Sequence, residues 1–237
     1  MIGRRNIIAF IAVYALVLSC FILVGIGAGK SADAFSNRQN ESVPHTVVID
    51  AGHGYPDGGT SSCDGTLECD INLEISLRLD DLMHLLGIPT VMTRNSKESV
   101  YSQGDTIAAK KISDLKNRVN LINSIQNPVV ISIHQNYFQE GKYRGAQIFY
   151  NDNNNSKDLA VGLQDAFIRF LNPGSNRRPK RGEDIYLLKN IKCTAVLVEC
   201  GFLSNLQESM LLQNKEYQKK ICGIIAVTVG QYITEPV

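Results

Sequence analysis

Residues 47–54 read VVIDAGHG, and this stretch decides the fold. Val47, Val48 and Ile49 form an unbroken apolar run, the pattern of a strand covered by helices on both faces. Asp50, Ala51, Gly52, His53 and Gly54 follow at once, so the chain leaves the strand through residues that permit a tight turn and close approach of a ligand. His53 falls just past the carboxyl end of a strand, where open α/β sheets place their chemistry. Residues 129–134, VVISIH, repeat the pattern and end on His134. One histidine after a strand is most often a hydrogen-bonded turn residue; two with the same placement point to one shared site. His45, in an apparent linker, and His84, on the polar side of a helix, read as surface residues.

Outward from these strands, Ile71, Ile75, Leu79, Leu82 and Leu86 recur at helical spacing from Glu68 onward, and Gly87 and Pro89 stop the helix. Glu68 stands at or just before its first turn, where the helix dipole favours a carboxylate. Residues 88–93 read as a strand ending in Arg94. Residues 95–112 read as loop, with Ser113 a plausible cap for a helix to Ile125. Residues 146–150 form another strand, and Ser156 is a plausible cap for a helix carrying Leu159, Leu163, Phe167 and Leu171. Residues 172–184 form a loop with Arg177, Arg178, Lys180 and Arg181, a cluster that is usually solvated and sometimes docks an anionic group or a partner. Strands are expected at 185–188 and 195–198, the latter ending in Glu199, Cys200 and Gly201, before a final helix over 215–233. The alternation predicts one α/β domain with six strands, largely parallel, flanked by helices.

The 237 residues, 44% of them hydrophobic, suffice for one substantial core. Twenty-four basic against 23 acidic residues leave a net charge of +1, so no global field points to nucleic acid. Six cysteines are too few and too irregular for a disulfide scaffold. Cys63 and Cys69 flank Glu68, which raises an oxidised loop or a competing metal ligand, but buried or idle thiols are the ordinary reading for these and for Cys193, Cys200 and Cys222. At the amino end, Arg4 and Arg5 precede an apolar run over 7–26, long enough to span a bilayer. Its length favours an uncleaved anchor, although Ala32 and Ala34 offer a cleavage pattern. The expected organisation is a signal anchor over 1–29, a tether over 30–45 and a catalytic domain over 46–237, exported from the cytoplasm.

Four chemical residues gather at element ends: His53, His134, Glu199 and Glu68. Two imidazoles and one carboxylate suit a catalytic zinc ion, whose fourth position holds water at a pKa near 7. A second carboxylate kept off the metal then serves as general acid and base. On chemistry alone either glutamate fills either role.

Taken together, VVIDAGHG, ECDINLEISLRL, VMTR, ISIHQN, GAQIFY and VLVECGFLSN resemble the zinc-dependent N-acetylmuramoyl-L-alanine amidases, over nearly all of the chain from Val47 to Ile233. The resemblance implies a mixed six-stranded sheet flanked by helices, one zinc ion held by His53, Glu68 and His134, and Glu199 as the catalytic residue. It also implies hydrolysis of the amide between the lactyl group of N-acetylmuramic acid and the L-alanine of the peptidoglycan stem peptide. Gln135 and Tyr137 stand where many relatives have small residues. Some regulated relatives carry a long helical insertion over the zinc; here residues 135–144 are too few, so control is expected from expression, location or an activating protein partner. An anchor without a wall-binding domain resembles the sporulation and germination amidases of spore cortex, where stem removal precedes muramic lactam formation between the forespore membranes. The competing readings are a zinc peptidase acting within the stem peptide and a silent wall-binding scaffold.

Overall fold

A computed structural model describes residues 44–153 and 155–234; the expected anchor, and the tether up to residue 43, lie outside the described residues. The elements are β1 (Thr46–Ala51), α1 (Glu68–Leu85), β2 (Thr90–Met92), α2 (Ile107–Ser124), β3 (Pro128–Asn136), β4 (Gln147–Tyr150), α3 (Ser156–Phe170), β5 (Lys180–Arg181), α4 (Tyr186–Asn190), β6 (Thr194–Phe202), α5 (Leu206–Leu212) and α6 (Lys215–Thr234). The strands form one sheet in the order β2-β1-β3-β6-β4-β5. All neighbours are parallel except β4, which runs antiparallel to β6.

Why the central strands read as unbroken apolar runs is visible in the packing. Val47 and Ile49 of β1 join Val129, Ile131 and Ile133 of β3 in a core shared with Ile71, Ile75 and Leu79 of α1 and with residues of α3 and α6. Val48 and Val130 face the other way, onto Val119 and Ile122 of α2 and Leu187 and Leu188 of α4. Because both faces are covered, alternation has no polar side to show. From β1 the chain crosses through α1 to β2 at one edge, then returns through α2 to β3 on the other side of β1. That reversal opens a crevice at the carboxyl ends of β1 and β3, the place where open sheets bind ligands.

Three local expectations are corrected. Residues 185–188 are not a strand: Tyr186–Asn190 is helical, with Leu187 and Leu188 buried side by side, and the sixth strand is the two-residue β5. Ser113 lies inside α2, which starts after Thr106, whose side chain accepts from the Ala109 N–H at 3.1 Å. The Ser113 hydroxyl instead accepts from the Ser102 and Gln103 N–H groups and fastens the preceding loop to the helix. Ser156 is the first residue of α3, and its hydroxyl donates to Asn151 and accepts from the Ala195 N–H rather than capping the helix. His84 is exposed as expected, whereas His45 is half-buried.

Candidate active site

His53 follows β1 in a left-handed conformation, φ 58°, which costs a residue with a side chain about 1–3 kcal/mol and persists only where its surroundings enforce it. Two buried arginines enforce it. Arg118 of α2 donates to the carbonyls of Ala51 at 2.7 Å and His53 at 2.6 Å. Arg94, after β2, donates to Ala51 at 2.8 Å, Gly52 at 2.9 Å and Cys69 at 2.9 Å. The Arg118 guanidinium is itself neutralised by Asp50 at 2.7 Å and Asp114 at 2.8 Å. Asp50 also accepts from Ser132 at 2.6 Å and Thr93 at 2.7 Å.

This frame brings together the three residues expected to hold a metal. His53 Nε2 is 3.3 Å from Glu68 Oε2, and His134 Nδ1 is 3.0 Å from Glu68 Oε1. Ligand-type atoms of all three lie within 4.8 Å of one another. Glu68, the first residue of α1, is buried and oriented by N–H donors: Thr60 at 3.0 Å, Gln135 at 3.2 Å and the Asn72 amide at 3.2 Å. Burial raises its pKa, but His134 and His53 outweigh that and hold the carboxyl well below the usual range. Asp57 accepts from His53 Nδ1 at 2.9 Å, which leaves Nε2 facing Glu68. Lys111 in turn sits 3.0 Å from Asp57.

Gln135 is buried, its backbone N–H donates to Glu68 and its amide donates to Asn72 Oδ1 at 3.1 Å, so it belongs to the support of the carboxylate. Tyr137 is exposed. Among the described residues the thiols of Cys63, Cys69, Cys193, Cys200 and Cys222 are free, and none joins the His–Glu–His cluster.

Glu199 lies on β6 directly opposite His134 of β3. Burial pushes its carboxyl up to about 7; His134 and His53 pull it back while Glu68 pushes it further up. Its Oε2 is buried and has no hydrogen-bond partner among the described residues. A buried carboxyl with a raised pKa thus stands beside the His–Glu–His cluster without belonging to it.

Two glycines make room for this packing. A Cβ on Gly52 would stand 2.3 Å from His134 Nε2, and one on Gly59 would stand 2.5 Å from Glu68 Oε2. Gly52→Ala is therefore expected to turn the His134 ring away and weaken metal binding by roughly 10- to 100-fold, read by metal titration; unchanged affinity would show that the ring has room to shift.

The fold and site define a class: a three-layer α/β protein with a His–Glu–His cluster and an adjacent buried carboxyl at the sheet's carboxyl ends. The chain belongs to the N-acetylmuramoyl-L-alanine amidase family, whose profile matches residues 47–231. Its activity is that of a peptidoglycan hydrolase. It is 36% identical over 191 residues to the germination-specific N-acetylmuramoyl-L-alanine amidase of Bacillus subtilis (strain 168), covering 80% of each chain. It is 29% identical over 211 residues to the amidase LytC of the same strain, covering 88% of this chain and 39% of LytC. Among solved structures, the CwlD amidase from Clostridioides difficile, in complex with the GerS lipoprotein, superposes with a TM-score of 0.76 at 39% identity, covering 80% of this chain and 98% of that one.

Proposed function

We propose that the chain is a zinc-dependent amidase in which His53, Glu68 and His134 hold one ion and Glu199 is the catalytic acid and base. The observation that carries this reading is the convergence of the three ligand-type side chains within 4.8 Å, beside a carboxyl raised to about 7. Two nitrogens and one carboxylate oxygen suit catalytic zinc and leave a position open for water or substrate. Bound zinc supplies Lewis acidity toward the amide carbonyl and the attacking water. Glu199 accepts the proton of that water and passes it to the alanine nitrogen as the carbon–nitrogen bond breaks. Asp57 fixes the His53 tautomer, and Thr60, Asn72 and Gln135 hold the Glu68 carboxylate in place.

Likeness to the germination-specific relative and to CwlD supports a role in spore cortex, where stem removal prepares muramic acid for lactam formation. An anchor over 1–29 and a tether over 30–45 would place residues 46–237 outside the membrane, beside peptidoglycan. Among the described residues no helix lies between β3 and β4 to cover the site. That CwlD was solved with a lipoprotein supports control by a protein partner here.

Chelation is the test. Burial alone would lower the pKa of His53, but hydrogen bonds and charge from Asp57 and Glu68 raise it to about 9 in the metal-free protein. An incoming ion displaces that proton, so zinc affinity is expected to rise with pH up to about 9 and fall in acid. Stripping the metal should abolish hydrolysis and zinc should restore it, with mass spectrometry finding muramic acid that carries no alanine. Metal-independent hydrolysis, or cuts only within the stem peptide, would overturn the reading. Full activity of the isolated chain would remove the case for a partner.

A further inference from the structure

Arg177 lies outside the His–Glu–His cluster, and the chemistry above leaves it unused. It belongs to the basic segment between α3 and β5, yet its side chain is not a free surface charge. The guanidinium stacks on Phe202, 5.0 Å from the ring centroid. Nε donates to the Arg144 carbonyl at 3.3 Å, and Nη1 donates to Gln147 Oε1 at 3.4 Å. Among the described residues no carboxylate forms an ion pair with Arg177, although Arg181 of the same segment has two acidic partners.

Gln147 locates this cation relative to the reaction. It sits opposite Glu199 in the antiparallel β4–β6 pair, and side chains so opposed have Cβ atoms about 4.5–5.5 Å apart. Arg177 is therefore linked to Glu199 through the one intervening side chain of Gln147. With Lys142 and Arg144 it lines an open cleft of about 730 Å3. The one acid in that lining, Glu208, is buried, and its oxygens already accept from the Gly145 and Phe202 N–H groups. Lys142 and Arg144 are exposed and Arg177 is half-buried; Glu208 feels the charge of both arginines but is buried and bonded to backbone N–H groups, so three cations against one carboxyl leave the cleft suited to an anion.

We propose that Arg177 anchors the free carboxylate of the stem-peptide residue that follows L-alanine, and so makes the enzyme select an acidic over an amidated residue at that position. This rests on the amidase reading. The residue after L-alanine is a glutamate linked onward through its side chain, so its α-carboxylate is free unless amidated. That group lies one residue past the scissile nitrogen, and Arg177 lies one intervening side chain, that of Gln147, away from Glu199. A guanidinium already planar and fixed by Phe202 and Gln147 loses little freedom in forming a paired contact with it.

The test compares two zinc-loaded substrate assays, on muramoyl peptides whose second residue carries either the carboxylate or the amide. Wild-type protein is expected to favour the acidic substrate by roughly 10- to 100-fold in kcat/KM, mainly through KM, the effect of one charge-assisted contact. R177M should bring the acidic substrate down to the level of the amidated one, and R177K should retain part of the preference. Equal cleavage of both substrates by wild type, or an R177M that slows both by the same factor so that the preference survives, would overturn the anchor while the amidase reading stands. Cleavage of neither substrate by zinc-loaded wild type, even when supplied with the envelope fraction of the cells that make it, would overturn both.

Discussion

Glu199→Gln is expected to lower hydrolysis by roughly 10²- to 10⁴-fold, the span that a positioned acid/base contributes, while zinc content and fold stay as in wild type. The amide keeps the shape of the carboxyl but neither takes a proton from water nor returns one to the leaving amine. The fold should tolerate it for a reason contained in the shifted pKa. A carboxyl raised from 4.5 to about 7 binds its proton more tightly in the folded chain, so folding is disfavoured once pH exceeds 4.5. A neutral residue removes that penalty, and melting in neutral buffer should be no lower than wild type. In the wild type, kcat/KM should fall as pH drops through the Glu199 pKa, because only the ionised form accepts a proton. A bound dication lowers that pKa, so the acid limb belongs at or below pH 7. Near-wild-type turnover by the variant would mean that another group carries the proton.

Arg118→Met is expected to destabilise the domain by about 3–5 kcal/mol, the usual effect of removing one partner from a buried ion pair. The loss is large because Asp50 and Asp114 both stay behind, and because the carbonyls of Ala51 and His53 lose a donor. Urea titration measures it, and a change under 1 kcal/mol would show that water or Arg94 substitutes. Acid should act through the same residues. Burial alone would raise the pKa of Asp50, but Arg118, Ser132, His134 and Thr93 outweigh it and bring it from 3.8 to about 2. A depressed carboxyl stabilises the fold fully above 3.8, and that contribution disappears as pH falls through about 2.

The chemistry was more legible than the frame that supports it. His53 and His134 announce themselves because buried parallel strands are apolar throughout, so a histidine at the end of such a run stands out. Separating Glu68 from Glu199 needed the resemblance to the amidases, since both carboxylates satisfy the same chemical requirement. Asp57 was hidden among the acids of a polar loop, although a ligating histidine is expected to have such a partner. Arg118 was invisible for a different reason. A mid-helix arginine reads as solvated, and only the docking of α2 beside the β1 turn shows that its charge faces inward onto Asp50. The 185–188 segment failed on length, because four residues with two adjacent leucines suit a short strand as well as one turn of helix.

The three residues proposed as ligands come from two separated parts of the chain: His53 and Glu68 from the β1–α1 connection, and His134 from the end of β3. No single segment, and no unfolded chain, offers them together, so an ion held as proposed would recognise only the finished tertiary arrangement and tie the free energy of its capture to that of folding. At a free ion concentration a thousandfold above the dissociation constant, that linkage amounts to about 4 kcal/mol. Resistance to heat and to proteolysis would thereby become a property of the surrounding solution as much as of the polypeptide.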